Sequence, residues 1–114
     1  MRYIRKYERY PIQREARYFL DSTKESGEAC TIVNICRKGM GIIFHTDVEI
    51  EVGANIWVDI SIAGPSKAIS VIGILKWLDK MDVDIIGGID LMYELNDVQL
   101  SKLNPSKVSL SKQL

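Results

Sequence analysis

The stretch NIWVDISIA, residues 55–63, shows the pattern that decides the fold class. Every second position carries a β-branched apolar residue: Ile56, Val58, Ile60 and Ile62. Because successive side chains of a strand point to opposite faces, this period predicts a strand with one face in a hydrophobic core. The residues between them, Trp57, Asp59 and Ser61, are then expected on the other face.

Five further stretches on either side of it have strand character. They are residues 12–20, 28–35, 41–45, 67–78 and 85–92. Residues 37–41, 64–66 and 79–84 are rich in glycine, proline or charged residues and predict turns, and the two glycines of the first can take a positive φ at little steric cost. On the second strand we expect Val33 and Ile35 on one face, in the core, and Asn34 and Cys36 on the other.

The period changes near the end of the chain. Asn96 and Gln99 have the spacing of a capping box, and Leu100, Leu103 and nearby Val98 predict the apolar side of one short helix that ends at Asn104-Pro105. The predicted fold is therefore all-β, a six-stranded antiparallel barrel with one short C-terminal α-helix, since closure protects sheet edges. We expect residues 1–11 to be a flexible arginine-rich segment, residues 12–104 the barrel and helix, and residues 105–114 a tail.

The charge of the chain is balanced overall but uneven locally. Fifteen Lys and Arg face fifteen Asp and Glu, which argues against a nucleic-acid-binding or membrane-surface protein. Residues 1–18 nevertheless hold six basic side chains and two acidic ones. Such a small basic segment suits a small anion better than a long polyanion.

Other residue types predict neither catalysis nor a metal site. Two cysteines with one histidine are too few for a zinc centre, and Cys30 and Cys36 are expected to be reduced thiols with no redox role. We interpret Asp79, Asp82 and Asp84 as a solvated turn and His45 as structural or exposed. No apolar stretch suits a signal peptide or membrane span, so we predict a cytoplasmic protein that is not an enzyme.

Two motifs and their order resemble the PilZ domain of bacteria. Arg5 and Arg9 form an RxxxR directly before the first strand, and Asn34, Cys36 and Gly39 match a [D/N]-x-S-x-x-G pattern about 25 residues later. The segments at residues 73–77 and 87–91 are similar to the last two strands of that family. The resemblance covers roughly residues 5–100.

This resemblance implies a receptor for cyclic di-GMP in which Arg5, Arg9, Asn34, Cys36 and Gly39 contact the ligand. Lys6, Lys38 and Trp77 are possible additional contacts, although Trp77 is equally compatible with a core or helix-packing position. Cys36 departs from the family's serine, and a thiol is a weaker hydrogen-bonding group than a hydroxyl. Family members that hold two stacked ligand molecules tend to carry a basic residue before the first arginine, and here Ile4 favours one.

The chemistry of the ligand explains these residue types. Arginine donates two parallel N–H groups to a phosphate or to a guanine edge and also stacks on bases. We expect residues 1–11 to order over the bound nucleotide and a downstream protein of motility, adhesion or exopolysaccharide control to detect the change. Two alternatives remain: a degenerate PilZ-like interaction module that binds no nucleotide, and a small barrel for single-stranded nucleic acid, which the zero net charge disfavours.

Overall fold

A closed antiparallel barrel forms the body of the protein in the computed structural model, which describes residues 10–20, 27–45, 50–62 and 68–103. Around the barrel the strands follow the order β1-β2-β3-β6-β5-β4. The described elements are β1 (Tyr10–Leu20), β2 (Glu28–Ile35), β3 (Gly39–Phe44), β4 (Asn55–Ser61), β5 (Ala68–Met81), β6 (Asp84–Leu91) and the helix α1 (Asp97–Leu103). The predicted fold class, a six-stranded barrel with one short helix, is confirmed.

Alternation along the strands builds the core inside this barrel. On β4 the side chains of Ile56, Val58 and Ile60 are fully buried, as their period predicted. Tyr18 of β1 and Phe44 of β3 meet edge to face inside the barrel, with ring centroids 4.9 Å apart and an interplanar angle of 80°. Aromatic pairs prefer this geometry because the positive edge of one ring faces the negative face of the other.

Two strand starts differ from the sequence prediction. Tyr10 and Pro11, which we assigned to the N-terminal segment, belong to β1 and pair with β2. β3 begins at Gly39 rather than Gly41, and neither glycine takes a positive φ, a conformation that the described glycines show at Gly53. Ladder pairing with β6, Gly39 opposite Asp90 and Gly41 opposite Gly88, keeps this stretch extended. Strand pairing therefore outweighed the turn preference of glycine.

The connection between β5 and β6 is a two-residue hairpin, not the six-residue charged turn that we predicted. Met81 pairs with Asp84, so only Asp82 and Val83 lie between the strands. Asp82 has a φ of 53°, in the left-handed region, which a short polar side chain tolerates better than most. Asp79 lies on β5 and Asp84 on β6, so the three carboxylates do not share one loop.

The helix begins as the sequence predicted. The Asn96 N–H donates to the Gln99 side chain at 2.9 Å, and the Gln99 N–H donates to the Asn96 side chain at 2.8 Å, so the capping box is formed. Leu103 is buried in the barrel core, whereas Val98, which we placed near that face, is 60% exposed. The predicted turn at 64–66 and the stop at Asn104-Pro105 lie outside the described residues. None of the described helical residues forms a helix long and apolar enough to cross a membrane.

Candidate functional site

The turn between β2 and β3 holds the N-x-C-x-x-G motif. Asn34 lies on β2 opposite Gly41 of β3, and the Cys36 N–H donates to the Gly39 carbonyl at 2.9 Å across the turn. Gly39 is buried as the first residue of β3, and Lys38 at the tip is half-buried. The structure therefore brings Asn34, Cys36, Lys38 and Gly39 into one compact turn.

The prediction that Cys36 points outward with Asn34 was wrong, because Cys36 is only 5% exposed. The β2–β3 register shifts between Ile32 and Asn34, where Val33 is the extra residue of a bulge. Ile32 and Ile35 are both fully buried, whereas Val33 is half-buried, so the shared face of Val33 and Ile35 was also wrong. Cys36 follows the last residue of β2, so the alternation of the strand no longer governs it.

Four neighbouring strands contribute one residue each to a row on the outside of the barrel: Asn34, Gly41, Gly88 and Trp77. A Cβ added to Gly41 would lie 2.5 Å from the Asn34 amide nitrogen, and one added to Gly88 would collide with the Trp77 indole nitrogen. The amide and the indole therefore lie over the two glycines. We call these four residues the glycine row. Adjacent strands are about 4.8 Å apart, so the glycine row spans roughly 14 Å.

Trp77 lies on the outer face of β5, not in the core. Its side chain is 45% exposed, while Leu75, two residues earlier, is fully buried. The β5–β6 register shifts between these two residues, which turns Trp77 outward where simple alternation would place both on one face. The core position that we also considered for Trp77 was therefore wrong, and its indole lies half-exposed over Gly88 on the outer face.

The arginine segment joins the barrel next to this row. Tyr10 pairs with Ile35 and Pro11 pairs with Asn34, so β1 begins directly beside the motif turn. Arg5, Lys6 and Arg9 lie outside the described residues. Arg9 immediately precedes Tyr10 in the chain, and five residues span at most about 18 Å, so both arginines are within reach of Asn34 by chain length.

Arg37 ties the same turn to the start of the helix, a contact that the sequence analysis missed. Its guanidinium donates to the Leu95 carbonyl at 3.0 Å and to the carboxylate of Asp97. The hydrogen bond and charge of Asp97 raise the pKa of Arg37. Two backbone bonds run in parallel, from Leu95 N–H to the Arg37 carbonyl at 2.8 Å and from Leu91 N–H to the Lys38 carbonyl at 2.6 Å.

A second arginine holds the other end of the helix. Arg14 of β1 donates to the carbonyls of Leu103 and Lys102 at 3.3 and 3.2 Å. These carbonyls lack partners within the helix, and a cation is favourable there because the helix dipole is negative at that end. α1 is thus attached to β1 at one end and to the motif turn at the other.

The remaining titratable groups give no catalytic arrangement within the described part of the chain. His45 is exposed and bonds Thr31 at 2.8 Å, with Asp84 3.4 Å from its other ring nitrogen. Burial raises the pKa of the Cys30 thiol to about 12, so this side chain is an unreactive part of the core. No cluster of three or more metal-ligating side chains occurs among the described residues.

No protein-family model and no curated protein sequence matches the chain. Several solved structures, in contrast, match the chain. The Bacillus subtilis inhibitor of motility (MotI/DgrA) matches with a TM-score of 0.69 at 11% identity, over 98% of this chain and 54% of that one. Escherichia coli YcgR in complex with c-di-GMP matches with a TM-score of 0.66 at 12% identity, over 96% of this chain and 46% of that one.

A third structure matches over nearly its whole length. It is the PilZ domain of Escherichia coli YcgR with c-di-GMP, which gives a TM-score of 0.65 at 12% identity, over 96% of this chain and 92% of that chain. The present chain thus spans about half of the two longer proteins and corresponds to the isolated domain in extent.

Proposed function

We propose that this chain, which has the fold of a PilZ domain, is a bacterial, cytoplasmic receptor for cyclic di-GMP that acts on a partner protein and catalyses no reaction. The observation that carries the proposal is the pairing of Pro11 with Asn34, because it joins the RxxxR segment to the barrel beside the N-x-C-x-x-G turn. Two structures that share the barrel hold c-di-GMP, which supports the choice of ligand.

Each residue has a chemical role in this proposal. Arg5 and Arg9 bind the phosphates and guanine edges of the nucleotide, and Lys6 adds positive charge. Asn34 offers an amide that both donates and accepts, and Gly39 allows the ligand close approach because it has no side chain. Lys38 lies at the tip of the turn, where its charge attracts a phosphate.

The glycine row extends the site beyond the motif turn. A guanine is planar and stacks on planar groups, and the two glycines let the Asn34 amide and the Trp77 indole lie close against the outer face of the barrel. The exposed part of Trp77 then serves as a stacking platform for a base, an interaction of about 1–3 kcal/mol per base in single-stranded nucleic acids.

Cys36 is held inside the motif turn. Its N–H is bonded to Gly39 and its thiol is nearly buried, so the thiol reaches the nucleotide only if the turn opens on binding. Restoring a hydroxyl with Cys36→Ser should keep or raise the affinity, because a hydroxyl donates and accepts better than a thiol. Weaker binding of Cys36→Ser in a calorimetric titration would contradict this account of position 36.

Calorimetric titration with cyclic di-GMP tests the proposal directly. We expect saturable binding by the unaltered protein, no saturable binding of GMP or a short oligonucleotide, and loss of cyclic di-GMP binding in Arg5→Ala and Arg9→Ala. Lys80→Ala, which removes one exposed positive charge near the β5–β6 hairpin, is the matched control and should bind normally. Undiminished binding by both Arg5→Ala and Arg9→Ala would overturn the proposed site.

Binding is proposed to order residues 1–11 over the ligand, which a partner then detects. Hydrogen exchange of these residues should slow when cyclic di-GMP is added. Equal protection with and without the nucleotide would exclude this switch while leaving the binding site itself intact.

The second candidate is a PilZ-like interaction module that binds no nucleotide. The observation in its favour is Cys36, where a buried thiol replaces the hydroxyl expected at that motif position. If the unaltered protein binds none of the three titrants, this candidate is favoured over the receptor.

A further inference from the structure

A concave surface lies between strands β4 and β5 on one side and α1 with the segment that precedes it on the other. We propose that it is the docking site for the downstream protein, and that the partner inserts an arginine or lysine side chain flanked by apolar residues. Arg37 connects this docking surface to the motif turn. The downstream partner and the coupling to nucleotide binding both rest on the proposed function.

The cavity has a volume of about 290 Å³. This lies at the lower end of the range of about 300–1,000 Å³ that ligand sites span, and it has room for one long side chain. Two parts of the fold line it. The strands contribute Trp57, Ser70 and Ile72, and the chain from the end of β6 into α1 contributes Tyr93, Glu94 and Gln99. An inserted side chain would therefore touch the barrel and the helix segment together.

Exposed apolar side chains lie on the same stretch of chain that contributes Tyr93, Glu94, Leu95 and Gln99 to the cavity. Tyr93 is 75% exposed, and Met92 and Val98, on the same segment, are 44% and 60% exposed. Scattered exposed apolar residues are ordinary, but a concentration of them around a concavity is typical of protein contact surfaces. This segment therefore presents the apolar part of an interface.

The charges near the cavity select a cationic partner. Glu94 lines the cavity, Asp59 accepts a hydrogen bond from the lining Ser70 at 2.7 Å, and Asp97 lies at the start of α1. Asp97 is bonded to Arg37 and Asp59 pairs with Arg17 across the β1–β4 ladder, so Glu94 is the carboxylate of this set that lines the cavity itself. The aromatic rings of Trp57 and Tyr93 together with the Glu94 carboxylate favour a guanidinium or ammonium group.

The wall of the cavity is attached to the motif turn. Leu95, which lines the cavity, exchanges two hydrogen bonds with Arg37, one with its backbone and one with its guanidinium. A nucleotide that rearranges the turn would therefore move this wall. Coupling of this kind is reciprocal, so a bound partner would change nucleotide affinity by the same factor.

The docking surface can be tested without nucleotide. The probe is the peptide acetyl-Ala-Leu-Arg-Leu-Ala-amide, added to the ¹⁵N-labelled protein and followed by the indole N–H signals of its two tryptophans, which Trp77→Phe assigns. We expect a saturable shift of the Trp57 signal with little change at Trp77. The peptide with glutamine in place of arginine should bind at least fivefold more weakly.

Glu94→Gln should weaken binding of the arginine peptide at least threefold and leave the glutamine peptide unaffected, because it removes charge while keeping shape. Equal binding of the two peptides, or a shift confined to Trp77, would overturn the docking site. These measurements use no cyclic di-GMP, so their failure is separate from failure of the receptor.

The coupling is tested by repeating the peptide titration with saturating cyclic di-GMP. We expect peptide affinity to change at least threefold in the unaltered protein and not in Arg37→Lys, which keeps the charge but cannot reproduce the two-pronged contact. An unchanged affinity in a protein that binds the nucleotide would overturn the coupling while the docking site stands.

Discussion

Gly87 and Gly88 are adjacent on β6 and face opposite sides of the barrel. A Cβ on Gly87 would lie 3.0 Å from the Phe44 ring and 3.1 Å from Leu75 and Leu78, inside the core. A Cβ on Gly88 would instead collide with the indole of Trp77, which is 45% exposed. The inner glycine is thus explained by core packing, whereas the outer one keeps a flat surface under a half-exposed ring.

The comparison shows that residue size on the two faces of one sheet is limited by different contacts. Inside, residue volume must match a space closed on all sides, so small changes are felt throughout the core. Outside, Gly88 makes room for the Trp77 indole, so a larger residue there must displace a half-exposed ring instead of straining a closed core.

The largest expected effect is on the inner face. Phe44→Ala should lower the free energy of unfolding by about 3–5 kcal/mol, since it removes a fully buried ring and its edge-to-face contact with Tyr18. Urea denaturation followed by circular dichroism measures this loss. Affinity for cyclic di-GMP per folded molecule should be unchanged, and a loss beyond the folded fraction would show that the two faces are not independent.

Alanine at each of the adjacent glycines separates the faces directly. Gly87→Ala should destabilise the protein by about 1–3 kcal/mol by overpacking the core and leave nucleotide affinity within about twofold. Gly88→Ala should show the reverse, a smaller loss of stability and at least a fivefold loss of affinity, because the indole must leave the row. Denaturation and calorimetric titration of both variants supply the comparison.

Trp77→Ala is the matched control for Gly88→Ala. If the glycine acts only by supporting the indole, the two substitutions should weaken binding by similar factors and the double variant should be no worse. Normal binding by Trp77→Ala would remove Trp77 from the site and return the glycine row to a structural role.

The smallest effect concerns the inner-face thiol of Cys30. Its pKa rises from 9.0 to about 12 on burial, so above pH 9 the unfolded chain releases a proton that the folded chain keeps. Ionisation therefore opposes folding, and stability should fall by about 1 kcal/mol between pH 9 and pH 10 from this group. Denaturation at both pH values should show this slope reduced in Cys30→Ala, and identical slopes would contradict it.

The elements predicted well from sequence depend on near neighbours in the chain. The alternation in β4 and the capping box of Asn96 and Gln99 involve residues at most a few positions apart, and both are present as expected. The bulge at Val33 and the outward turn of Trp77 were missed, because they depend on which residues of another strand pair with them. The prediction of a turn over residues 79–84 rested on their charge and was also wrong, because strand pairing extends through most of these charged positions.

The candidate site divides in the same way. The two motifs were visible as residue types at set spacings, and the structure places Asn34, Cys36 and Gly39 in one turn while Arg5 and Arg9 stay a prediction outside the described residues. The bond from Arg37 to Asp97 joins residues 60 positions apart, so no local pattern could indicate it. The burial of Cys36 was equally hidden, since it follows the end of the strand.

Local chemistry in the sequence was enough to determine a small barrel, a capped helix and the composition of a basic arm, because side-chain period and capping act over a few residues. Tertiary structure alone decided that the arm joins the barrel opposite Asn34, that the Trp77 indole lies over Gly88, and that Arg37 links the motif turn to α1. Each of these depends on strand register, which closure of the barrel sets for all strands together.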